Sequence, residues 1–181
     1  MDRRSQRIVL VAHCILNQNA VVEPLARAPG ALEGIVGICT QAGVGMLQLP
    51  CPELLDRGPT RAQAEREAYD TVAHRALCRR MLEPVRDQVR AYERAGYRLV
   101  GLIGIGHSPS CGVCTTHAGG RRVPGRGVFM QELLAMLPEL EGRALEVPRD
   151  YPDDPEVRRR FEAELRACCS PQGDPSPAQL K

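Results

Sequence analysis

The chain has 181 residues, enough for one domain to bury a sizeable core without help from disulfides. Apolar residues make up 43%, charged residues 25% and aromatics only 3%, with no Trp, so the composition predicts an ordinary globular protein whose core is aliphatic. The net charge is +2 and Lys181 is the only lysine, which leaves no general case for a duplex nucleic-acid partner. Residues 1–7 are polar and lead into the run Ile8-Val9-Leu10-Val11, too short for a signal peptide or a membrane span. The expectation is therefore a cytoplasmic protein with no membrane partner. In a reducing compartment, eight cysteines point to metal or thiol chemistry rather than to a disulfide framework.

Taken in order, residues 7–11 form a β-branched apolar run that predicts a buried strand, ending in the polar loop that carries His13, Cys14 and Asn17. Residues 32–42 predict a helix closed by Gly43, and residues 46–49 a second strand. That strand runs into Pro50-Cys51-Pro52-Glu53, where two prolines predict an extended, rigid turn around the thiol. Residues 60–94 predict two helices or one helix interrupted near Pro84, with Thr60 as N-cap and Gly96 as the stop. Residues 97–105 are the clearest strand, emptying into Gly106-His107-Ser108-Pro109-Ser110-Cys111-Gly112. The stretch from Gly119-Gly120-Arg121-Arg122 to Gly127 reads as a basic loop, suited either to an anion or to solvent. A helix over 127–137, a strand over 144–147 and a helix over 154–169 begun by Pro155 complete a single domain, residues 1–169. Residues 170–181 are Pro- and Ser-rich and are expected to be a disordered tail.

Strands alternating with helices predict an α/β domain, Rossmann-like and three-layered, with a mainly parallel sheet. Ligands in such sheets gather beyond the carboxyl ends of the strands. Cys14, Cys51 and Cys111 each follow a predicted strand, so residues distant in sequence are expected to converge as one soft-ligand metal site. Thiolates suit iron-sulfur clusters, zinc or copper, and position alone leaves that choice open.

The Cys-Pro-Glu element at Cys51 and the Ser-Pro-Ser-Cys-Gly element at residues 108–112, after an initial strand ending in a cysteine, resemble the 2-thiouracil desulfidase (TudS-like) family. The likeness spans residues 8–137. It implies a [4Fe-4S] cluster held by Cys14, Cys51 and Cys111, with one iron left open for a small thiolated substrate, plausibly a thio-nucleobase such as a thiouracil. The implied reaction is a desulfidase step without redox change: the open iron takes the thiocarbonyl sulfur and water replaces C=S by C=O. Glu53 and Ser108 are the proton-transfer residues on that reading; Arg61 ends Gly58-Pro59-Thr60-Arg61, which partly echoes a family stretch, and His13, Asn17, Arg61 and His107 are the expected substrate contacts. The family's Arg-Tyr-Asp-Gly stretch is replaced here by Asn17-Gln18-Asn19-Ala20-Val21, so substrate contacts on that side are expected to differ.

Rival readings accompany each of these residues. Cys114, in Cys111-Gly112-Val113-Cys114, would complete a closed four-thiolate zinc module or act with Cys111 as a metal-free dithiol. Glu53 would pair with Arg57 at helical spacing or cap a helix. His13 and His107 would be structural, and His74 a helix-face residue. Cys39, Cys78, Cys168 and Cys169 read as small hydrophobes.

Overall fold

The computed structural model describes residues 2–171, so the expected tail lies largely outside the described residues. The chain runs β1 (Arg7–Val11), α1 (His13–Leu16), α2 (Glu33–Gln41), β2 (Gly45–Gln48), α3 (Pro52–Arg57), α4 (Val72–Arg94) and β3 (Arg98–Ile105). It continues through β4 (Thr115–Ala118), β5 (Arg121–Pro124), α5 (Val128–Met136), β6 (Ala144–Val147) and α6 (Pro155–Cys169). Four strands form one sheet in the order β2-β1-β3-β6, and every pairing in it is parallel. The fold is the expected α/β architecture.

Parallel strands covered on both faces need continuous apolar runs, and Val9, Leu10 and Val11 are fully buried. On one side α2 packs with α6, and on the other α4 packs with α5. Strand β3 touches both layers. A Cβ on Gly101 would lie 2.9 Å from the Cys168 sulfur of α6, whereas one on Gly104 would strike Val113 and approach Met130 of α5 to 3.2 Å. Glycine at these positions lets both helix layers approach closely.

From β1 the chain moves outward through α2 to β2, then crosses back through α4 to β3 on the other flank of β1. The order reverses between β1 and β3, the kind of position beyond whose carboxyl ends sheets of this type bind their ligands.

Several local expectations are corrected. The segment after Cys51 is a helix rather than an extended turn: Pro52 occupies its first position, where a missing N–H costs nothing, and Cys51 is its N-cap. Helix α4 begins at Val72, capped by Thr71, whose hydroxyl accepts from His74 N at 3.1 Å; Thr60 caps nothing there. Pro84 sits inside an unbroken α4. Its side of the helix is exposed, so water can satisfy the Arg80 carbonyl that proline leaves free, while Cys78, Leu82, Val85 and Val89 bury the other face. The basic stretch after Cys114 is a two-stranded antiparallel hairpin, β4 with β5. Gly119 and Gly120, at φ 58° and 74°, make its two-residue turn, which only residues tolerant of left-handed backbone can form.

Candidate metal and thiol site

Each cysteine loop is held by its own local device. After β1, residues His13–Leu16 form a single helical turn, and the buried amide of Gln18 donates from Nε2 to the Cys14 carbonyl at 2.6 Å. Its Oε1 accepts from Arg27 N at 2.8 Å, tying the following loop to Cys14. The Gln48 side chain donates to the His13 carbonyl at 3.0 Å and joins the ends of β1 and β2. At Cys51 the sulfur accepts from Leu54 N at 3.4 Å. At the third loop the Ser108 hydroxyl oxygen accepts from Cys111 N at 2.8 Å and Ser110 N at 3.3 Å. The start of α5 then grips this loop: Val128 N and Met130 N donate to the carbonyls of Pro109 and Ser110, at 2.9 and 3.1 Å. A Cβ on Gly127 would collide with the Ser110 backbone, so no larger residue fits where helix meets loop.

The three thiols share one electrostatic neighbourhood. Burial pushes the Cys14 thiol up to about 12, reinforced by Cys51 and Glu53 and opposed by Arg27. Burial raises Cys111 well above the ordinary thiol range, and Cys14, Cys51 and Glu53 add to the shift. Cys51 is raised by burial as well, against the Leu54 N–H bond and Arg61. Cys114 is different: it is exposed, burial and Glu146 raise it, and Arg126 opposes them.

Glu53, for which a pairing with Arg57 was the rival reading, meets Arg61 instead, whose Nε donates to Oε2 at 3.2 Å. The Tyr69 hydroxyl donates to the same oxygen at 3.4 Å. Both bonds fall on Oε2, which leaves Oε1 available. Arg61 also donates to the Gly58 and Ala20 carbonyls, at 3.2 and 2.8 Å, bridging the loops after β1 and β2. Arg57 stacks over the Tyr69 ring, 4.4 Å from its centroid. Asn17 caps its own turn by accepting from Asn19 N at 3.1 Å. His13 carries a buried Nε2 without a hydrogen-bond partner, as does the Ser110 hydroxyl. His107 has φ 66°, a left-handed backbone rare for its type. Burial first, then Arg122 and Arg149, hold its pKa below the usual imidazole value. His74 is buried, its Nδ1 3.1 Å from Asp56 Oδ2, and so is more than a helix-face residue.

One organiser went unread in the sequence. Glu146 on β6 accepts from the backbone N–H groups of Val113, Cys114 and Thr115 at 2.8, 2.6 and 2.9 Å, and from the Thr115 hydroxyl at 2.6 Å. Its signal was a carboxylate in an otherwise apolar strand, Ala144-Leu145-Glu146-Val147.

The donor chemistry suits a thiolate-bound centre: Cys14, Cys51 and Cys111 are soft ligands following three neighbouring strand ends, in buried surroundings where their charges raise one another. Among the described residues, no three His, Cys, Asp or Glu side chains are grouped to hold a metal ion. A single zinc with bonds of about 2.3 Å needs its sulfurs packed tightly, whereas a multi-iron cluster spreads its ligands over a larger body.

Fold and site define a three-layer α/β protein whose three cysteine loops follow the carboxyl ends of adjacent strands of a parallel sheet. No family model matches the chain, and no solved structure matches it. Uncharacterized protein MJ0003 of Methanocaldococcus jannaschii is 36% identical over 152 residues, which cover 83% of this chain and 91% of that protein. The chain belongs to the family of that archaeal protein. Among the described residues, no helix is long and apolar enough to cross a membrane.

Proposed function

We propose that this protein is an iron-sulfur desulfidase, with Cys14, Cys51 and Cys111 holding a [4Fe-4S] cluster, acting on a small thiolated compound such as a thio-nucleobase. The observation that carries the reading is the shared electrostatic neighbourhood of these three thiols and Glu53, delivered by three adjacent strand ends. The motif likeness to 2-thiouracil desulfidases supplies the metal and the reaction. When bound, the cluster supplies a Lewis-acidic iron, with one position free of protein, that is soft enough for sulfur.

The chain's own groups do the proton work. Glu53 takes a proton from the attacking water at Oε1 while Arg61 and Tyr69 hold Oε2 still. The Ser108 oxygen accepts from two backbone N–H groups, and its own O–H serves as the donor to the departing sulfur. The balance is thiocarbonyl plus water giving carbonyl plus hydrogen sulfide, with no electron gained or lost. His13 offers an unpartnered Nε2 beside Cys14. No observation favours the closed four-cysteine zinc module, because Cys114 is exposed and feels none of the other three thiols.

The test is the iron and acid-labile sulfide content of anaerobically purified protein. Brown protein with near-equal iron and sulfide, absorbing near ~400 nm, is expected. Colourless protein that takes up zinc after anaerobic reconstitution would overturn the reading. With the cluster present, release of sulfide from 2- and 4-thiouracil tests the substrate class.

A further inference from the structure

Residues 58–71 link α3 to α4, and their first part stays outside the core. None of residues 58–68 is buried, whereas Tyr69, just beyond them, is 1% exposed. Polar bonds hold this segment, and they reach segments that follow three different strands. In the loop after β1, the Ala20 carbonyl accepts from Arg61 Nη2 at 2.8 Å and the Glu23 carbonyl from the Gln63 side chain at 3.1 Å. In the helix after β2, Glu53 accepts from the same Arg61. At the hairpin after β3 the donors are on the other side: the N–H groups of Gly119 and Gly120, at the tip, donate to Glu67 at 3.1 Å and Glu65 at 2.8 Å. Between the two carboxylates, Arg66 donates from Nε to the Arg126 carbonyl at 3.2 Å.

Both ends of the segment are pinned. Gly58, at φ 80°, stops α3. At the other end Arg57 donates to the Ala68 carbonyl at 2.6 Å and stacks on Tyr69, whose buried ring meets His74. A stretch tied by partly solvated hydrogen bonds, with little apolar burial of its own, opens at a lower free energy than buried strands do.

We propose that residues 58–68 are a strap that opens and closes as one unit over the strand ends carrying the three cysteine loops, latched to the hairpin tip by Glu65 and Glu67. Closed, the strap seats Arg61 on Glu53 and joins the segments after β1, β2 and β3. Open, it carries Arg61 away while Tyr69 keeps its place. Arg61 is thus a positioning residue whose hold on Glu53 depends on a latch at the far end of the strap. The catalytic meaning of Glu53 rests on the desulfidase reading; the opening of the strap does not.

The test follows tryptic cleavage and, by NMR, amide exchange of the intact chain. In wild type, cleavage after Arg61 and Arg66 is expected while the amides of Leu102 and Ile103, fully buried in β3, stay protected. In Glu65→Ala/Glu67→Ala, cleavage at both sites should be roughly tenfold faster, because two bonds to charged acceptors are lost. Gln at both positions keeps an acceptor and should restore most of the protection. Arg61→Ala, at the other end, should speed exchange at Gly119 and Gly120 more than in β3, although Arg61 bonds to neither. The proposal is overturned if wild type is cut at these arginines only as fast as the β3 amides exchange, or if Arg61→Ala leaves Gly119 and Gly120 unchanged relative to β3. The β3 amides report in each sample whether the fold has survived, and the wild-type comparison decides alone where a variant fails to fold. A strap that opens in this way in a protein that releases no sulfide from thiouracil would sink the desulfidase reading only.

Discussion

Arg61 and Glu53, eight residues apart, meet as an ion pair whose side chains are only 4% and 12% exposed, Nε to Oε2 at 3.2 Å. A pair this enclosed contributes little net stability when intact, yet losing one partner strands the other. Arg61→Ala is therefore expected to lower stability by roughly 3 kcal/mol in urea unfolding. Tyr69→Phe, which removes one weak bond of 3.4 Å, should cost about 1 kcal/mol. Equal, small losses in both would mean that the pair is solvated in solution.

The distinction between the cysteines yields a sharper comparison. Serine at 14, 51 or 111 should each abolish most of the iron bound after anaerobic reconstitution, because a three-ligand site has no spare donor. Cys114→Ser should retain it, since that thiol is exposed beside Glu146 and Arg126. Loss of iron in Cys114→Ser alone would reassign the ligand set.

Glu146 tests how the third loop is held. Its carboxylate receives three backbone N–H groups and one hydroxyl, and Gln would turn an NH2 toward donors that need an acceptor. Glu146→Gln is expected to cost about 2–3 kcal/mol and to speed amide exchange at Val113, Cys114 and Thr115. Unchanged exchange at these amides would show that the cage does not hold the loop.

Just before α4, Asp70 accepts from Arg75 Nε at 2.6 Å, and this bond holds its carboxyl below the ordinary aspartate range. A carboxylate with a depressed folded pKa adds stability above its unfolded pKa and loses it as pH falls through the folded one. Asp70→Asn should thus cost less than about 1 kcal/mol at neutral pH, the side chains being partly solvated. Wild type and variant should converge below the ordinary carboxylate range. Parallel stability curves from neutral pH to acid would contradict the pairing.

The buried strands were legible because a sheet covered on both faces demands unbroken apolar runs, as at Val9-Leu10-Val11 and Leu102-Ile103. Proline misled twice, for opposite reasons. At Pro52 it starts a helix, and at Pro84 the exposed face of α4 absorbs the missing bond. The hairpin was hidden by its polar strands, although Gly119-Gly120 is a known turn signal. At the site, the strand ends that deliver the cysteines were readable from local pattern. The Arg61–Glu53 pair and the Glu146 cage were not, since neither spacing belongs to any local periodicity and only the folded backbone brings these residues together.

Gln18 uses its amide in both directions, giving to the Cys14 carbonyl and taking from the Arg27 N–H. No carboxylate can do this, since Glu lacks the donor, and Asn is one methylene too short to keep the same reach. Spontaneous hydrolysis of this single amide during ageing would set a negative charge against the Cys14 carbonyl. The tie between the Cys14 turn and the Arg27 loop therefore depends on one side chain remaining a neutral amide.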